Sequence, residues 1–193
     1  MKRLLLFALM ALVMGCTSCN NIKRITWEQS EKNFQVYQND LISVLEHYGL
    51  SLEKCETNEY DDYLSLSFLV TVDDEMSIDI RLHTNASHDR TGREEVEILY
   101  RNYGEQPFDL QLFTEVVNTV SGREITQEYC EKFLSDPEED HSPARYGLQK
   151  DSIKKVYKYE FLNFGQDWAI TYSEYDDETE ALAFWGLTKQ LEE

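Results

Sequence analysis

The stretch Leu64–His83, LSLSFLVTVDDEMSIDIRLH, decides the fold. In its first half Leu64, Leu66, Phe68, Val70 and Val72 alternate with Ser65, Ser67, Leu69 and Thr71. In its second half Met76, Ile78, Ile80 and Leu82 alternate with Ser77, Asp79, Arg81 and His83. Successive side chains of a strand point to opposite faces, so period two with one apolar set predicts two strands that each bury one face. Asp73-Asp74-Glu75 between them is turn material, and the pair reads as an antiparallel hairpin.

Downstream, a polar loop with Asn85, Ser87, His88, Asp89 and Gly92 leads to Val96, Ile98 and Tyr100, a third strand of the same kind. Upstream, Thr26 and Gln29 have capping-box spacing. Behind them Trp27, Phe34, Tyr37, Leu41, Val44, Leu45 and Tyr48 fall on one helical stripe that Gly49 ends. A short strand is expected around Leu50–Cys55. Pro107 then suits the first turn of a helix running to about Ser121, with Phe113, Val116, Val117 and Val120 on one face and Gly122 as its stop. A second short helix is expected over Thr126–Leu134, followed by an acidic loop with two prolines at Asp136–Pro143. Three strand candidates close the chain: Ile153–Asn163, Trp168–Tyr175 and Ala181–Lys189, the last of which also admits a helical reading.

Helix, strands, helices, strands in that order predict an α+β fold, with helices packed on an antiparallel β-meander sheet. The chain allows division into two helix-plus-meander units, 26–104 and 105–193, within one domain over 26–193. Glu-Tyr-Asp-Asp occurs at Glu59–Asp62 and again at Glu174–Asp177, a repeat that chance explains as well as duplication in a chain this rich in Asp, Glu and Tyr.

The first residues bear on compartment. Lys2 and Arg3 precede an apolar run from Leu4 to Gly15, the layout of a secretory signal. The run is shorter than the roughly 20 residues a membrane-crossing helix needs. Val13-Met14-Gly15-Cys16 follows, and it resembles the lipobox of bacterial lipoproteins. The resemblance implies a diacylglyceryl group on the Cys16 thiol, cleavage of residues 1–15, and a membrane tether at 16–25. Thr17 behind that cysteine, rather than an Asp, permits an outer-membrane destination by the same resemblance. The expected location is the cell envelope, extracytoplasmic and lipid-anchored. An ordinary secretory cleavage near Gly15 is the competing reading.

The formal charge is -19, and loss of Lys2 and Arg3 with the signal moves it to -21. Such a surface repels phosphate backbones, so no nucleic-acid partner is expected, whereas cationic ligands and basic proteins are favoured. Of the four cysteines, Cys16 and Cys19 form a C-x-x-C at the cleavage site, where a redox motif has no strand or helix to sit on. Export would permit a bridge between Cys55 and Cys130, which are a candidate disulfide.

The chemistry-bearing motifs are thin. His83, His88 and Asp89 match no zinc spacing, and Asp73–Glu75 and Asp176–Glu178 lack the glycine and spacing of a calcium loop. No G-x-S-x-G or Gly-rich phosphate loop is present. No catalytic residue, metal or cofactor is therefore nominated. The positive signal is aromatic residues beside carboxylates: Tyr60, Tyr63, Trp168, Tyr172 and Tyr175 are the candidate binding residues, although strands favour such rings for packing alone. The expected role is a membrane-anchored module that binds a protein or a cationic ligand. The alternatives are an envelope hydrolase using carboxylates, or an envelope structural or assembly factor.

Overall fold

A computed structural model of the chain describes residues 24–60, 63–86, 91–135, 153–159, 168–175 and 179–191. Helix α1 spans Trp27–His47. Strands β1 (Lys54–Tyr60), β2 (Tyr63–Thr71), β3 (Met76–Thr84) and β4 (Glu94–Asn102) follow. Helices α2 (Leu110–Ser121) and α3 (Gln127–Ser135) come next, then β5 (Ile153–Tyr159), β6 (Trp168–Tyr175) and β7 (Glu180–Leu187). The signal segment with Cys16 and Cys19, the 17–23 part of the tether, His88, Asp89 and the loop 136–143 lie outside the described residues.

The strands form one seven-stranded sheet in the order β1-β2-β3-β4-β7-β6-β5, with every pairing antiparallel. The fold is α+β, helices on an antiparallel sheet. It contains two meanders, β1–β4 and β5–β7. They meet where β4 pairs β7, with Ile98 opposite Phe184 and Tyr100 opposite Leu182, so both meanders share one sheet.

The period-two pattern is obeyed residue by residue. Leu64, Leu66, Phe68, Val70, Met76, Ile78, Ile80, Leu82, Val96, Ile98 and Tyr100 are all buried on one face. The helices cover that face: α1 lies against β2 and β3, α2 against β4 and β7. Helix α3 reaches β6 through Tyr129, whose ring meets Trp168 edge-on with centroids 6.3 Å apart. The stripe on α1 (Trp27, Phe34, Tyr37, Leu41, Leu45) and that on α2 (Phe113, Val116, Val117, Val120) join the strands in one apolar core.

The helix ends follow local chemistry. Thr26 caps α1 by accepting from the Gln29 amide at 3.2 Å, while the Gln29 side chain turns to Asn33 instead of completing the box. Gly49, at a φ of 69°, closes the helix: its N–H donates to Glu46 and that of Leu50 to Leu45, the paired bonds of a Schellman stop. Leu50 is thus taken up by the helix stop, and β1 begins at Lys54 rather than near Leu50. Helix α2 begins at Leu110 and not at Pro107, because Asp109 is its cap and accepts from the Leu112 amide at 2.9 Å. The preceding loop is held by Asn102, which donates to Gln106 O and accepts from Gly104 N. The final segment is a strand, paired on both sides.

Candidate functional site

The sheet face opposite the helices carries a trough. On β2 the outward residues Ser65 and Ser67 are small, while Glu56 and Asn58 on β1 and Asp79 and Arg81 on β3 flank them. Short side chains between rows of longer ones leave a furrow along β2, of about 450 Å³, with Tyr63 at one end and Leu69 at the other. This size lies within the range of small-molecule sites, roughly 300–1,000 Å³.

Of the charged groups lining the trough, Asp79 and Arg81 are paired within the sheet. Arg81 Nη1 reaches Glu97 Oε2 at 3.2 Å, Arg101 pairs with Asp79, and His83 Nε2 meets Glu95 Oε2 at 3.0 Å. The His83 contact holds the Glu95 carboxyl below the usual carboxylate range. Tyr63 stacks on His83 with centroids 5.7 Å apart, and burial raises its phenol. Among the described residues, no hydrogen bond engages the Asn58 amide or the Ser67 hydroxyl. The strand register continues the row beyond the trough: Glu56, Ser67, Arg81, Glu97 and Trp185 succeed one another across β1, β2, β3, β4 and β7. Trp185 is exposed at 37%.

Of the aromatic residues nominated from sequence whose side chains the structure describes, only Tyr63 lines this trough. Tyr60 is opposite Tyr63 in the β1–β2 register, and its side chain lies outside what the structure describes, as does that of Tyr175. Trp168 and Tyr172 belong to the helix-covered face of β6. Trp168 stacks on Phe184 at 6.0 Å, and the Tyr172 hydroxyl donates to Glu180 at 2.7 Å. Strand alternation separates these two from Tyr63: they sit on the other face, toward the other edge.

Cys130 is a buried free thiol, and burial pushes its pKa up to about 12. Cys55 stands on β1, opposite Phe68. Helix α3 touches β6, five strand spacings from β1 or about 24 Å, so the topology holds the two cysteines apart rather than bridging them. Among the described residues no group of three His, Cys, Asp or Glu converges on a metal position. Nor is any helix there long and apolar enough to cross a membrane.

A second polar cluster went unread in the sequence. Glu94, 7% exposed, opens β4 on its core-facing side. It accepts two bonds from Asn33 Nδ2, at 3.1 and 3.0 Å, and one from Thr188 Oγ1 at 3.2 Å. The Tyr37 hydroxyl is 3.2 Å from Glu94 Oε2 and 2.6 Å from Lys189 O. Burial raises the Glu94 carboxyl above the ordinary carboxylate range, the hydrogen bonds only partly offsetting it. A cavity of about 40 Å³ adjoins the cluster between Gln29, Asn33 and residues 187–191. The signal was present: 94, 96, 98 and 100 share one parity, so Glu94 falls on the inward set, and Asn33 lies on the apolar stripe of α1.

No family model matches the chain, and neither the curated proteins nor the solved structures supply a match to it.

Proposed function

We propose that this chain is an exported lipoprotein, tethered through lipid on Cys16 in the cell envelope, whose α+β body acts by binding at the trough on the open sheet face. The observation that carries the binding reading is the trough itself, where unengaged hydrogen-bonding groups line a concavity of ligand size. The tether rests on the lipobox resemblance. A sheet with one face packed under helices leaves the other free for recognition, and strands hold its side chains at fixed spacing.

The hydrolase alternative would need two carboxylates free to face a common substrate position; of Glu56 and Asp79, which both line the trough, Asp79 is tied to Arg101. Glu94, whose carboxyl is raised by burial, is likewise enclosed by side chains that hold it in place, the pattern of a structural network. A protein partner is the second reading, favoured by a different observation. Strand β1 is an edge strand whose residues Glu56–Glu59 are exposed, so an extended segment of a basic protein could add beside it.

Two measurements test the proposal. The intact mass of the full-length protein extracted from membranes should equal residues 16–193 plus acyl chains, and an unmodified chain would remove the tether. A photo-crosslinking residue introduced at Ser67 should capture a ligand in intact cells, whereas one at Val36, exposed on α1, should not. Equal capture at both positions, or none at Ser67, counts against the trough.

A further inference from the structure

We infer that the trough takes a neutral polyhydroxylated ligand, an oligosaccharide laid across the strands from Ser67 toward Trp185. The inference rests on the binding reading above and names the ligand class for that same site.

Three observations carry it. First, two of the charged groups lining the trough are already paired within the sheet: Asp79 with Arg101 and Arg81 with Glu97. A charged ligand entering there would compete with partners the sheet supplies, whereas a neutral one adds hydrogen bonds and leaves the pairs intact. Second, the groups that remain for a ligand, the Asn58 amide and the Ser67 hydroxyl, both donate and accept, as the hydroxyls of a sugar do. The Arg81 guanidinium and the Asp79 carboxylate are oriented by their pairing, so they offer further donors and acceptors at reduced cost in side-chain freedom.

Third, among the described residues the one large aromatic side chain exposed on this face is in line with the trough. Trp185 occupies the same transverse row as Ser67, three strand spacings away or about 14 Å. An exposed indole presents a flat apolar face with a polar edge, which suits the C–H face of a sugar ring. The span from Ser67 to Trp185 exceeds one ring, so the fitting ligand is a chain of sugars rather than a single one.

The test uses full-length protein extracted from membranes into a detergent without a sugar headgroup. It is titrated by calorimetry with neutral hexasaccharides of glucose, mannose, xylose and N-acetylglucosamine, and separately with a hexalysine peptide. At least one hexasaccharide should bind and quench or shift the tryptophan fluorescence, a change lost in Trp185→Ala, with affinity unchanged between about 0.05 and 0.5 M salt. Asn58→Ala and Trp185→Ala should each weaken it roughly tenfold, the worth of one good hydrogen bond or ring contact. Ser67→Trp, which fills the trough, should abolish binding, and Asn58→Ala on the exposed edge strand serves as the readout should that larger change disturb folding. If hexalysine binds instead, in a manner lost at high salt and with Ser67→Trp, the trough is a site but the saccharide inference is overturned. If neither probe binds, or binding ignores both Asn58→Ala and Ser67→Trp, the inference and the assignment of the trough fall together.

Discussion

Asn33 donates through Nδ2 to both carboxylate oxygens of Glu94, joining helix α1 to the first residue of β4 across 61 positions of sequence. Thr188 and Tyr37 complete the contact, and Tyr37 also holds Lys189 O, so the chain leaving β7 is clasped to the same point. Lys189 Nζ adds a bond to Asp40 at 2.7 Å on the outer side of the helix. A polar junction inside an apolar layer is costly to leave half-made, so its members should respond strongly to substitution.

The first consequence concerns pH. Burial raises the Glu94 carboxyl in the folded state, so the fold binds that proton more tightly than the unfolded chain does. Its contribution to stability is full below the ordinary carboxylate range and is lost as pH climbs through the raised folded value. The melting temperature of the natural protein minus that of Glu94→Gln should therefore decline between about pH 4 and pH 8. A difference that is flat or rises with pH would contradict the assignment.

Asn33→Ala removes donors from both Glu94 oxygens at once. Leaving that carboxylate short of partners should cost about 2–3 kcal/mol in denaturant unfolding. Because Asn33 is among the bonds that hold the Glu94 pKa down, the variant should also lose stability more steeply as pH rises.

Cys130 should be inert in the folded protein. Its thiol is fully enclosed and its pKa is pushed up to about 12, so little thiolate exists near neutrality and no reagent reaches it. Alkylation with iodoacetamide at about pH 8, followed by peptide mapping, should leave the Cys130 peptide unlabelled until denaturant is added. Labelling at a rate similar to that of an exposed thiol would show that α3 does not keep this face packed against the core.

Gly122 ends α2 with a φ of 64°, and a Cβ there would sit 2.7 Å from Lys189 Cβ. The backbone of Lys189 is fixed alongside by its N–H bond to Val120 O at 2.8 Å. Gly122→Ala thus combines an unfavourable backbone conformation with a collision, and about 1–3 kcal/mol of destabilisation is expected in chemical unfolding. A neutral outcome would mean that the segment after β7 moves freely away from α2.

Much of this molecule is local in origin and was legible in its sequence. Alternation in Leu64–His83 and Val96–Tyr100 specifies strands and their buried face, because side chains of a strand take opposite sides in turn. The 3.6-residue stripe of α1, its Thr26 cap and its Gly49 stop are likewise decided within a few residues. Even the interior position of Glu94 is written in parity, although only an interior partner makes a buried carboxylate tolerable, and Asn33 is 61 positions away.

What tertiary structure alone decided is which strands become neighbours. The β4–β7 pairing joins the two meanders, holds Cys55 on β1 far from Cys130 on α3, and brings Trp185 into the row of Ser67 and Arg81. It also splits Tyr63 from Trp168 and Tyr172, which sequence proximity to carboxylates had grouped. Long-range pairing depends on burying two apolar faces against one helical layer, a property of the assembled sheet. No window of sequence contains both partners.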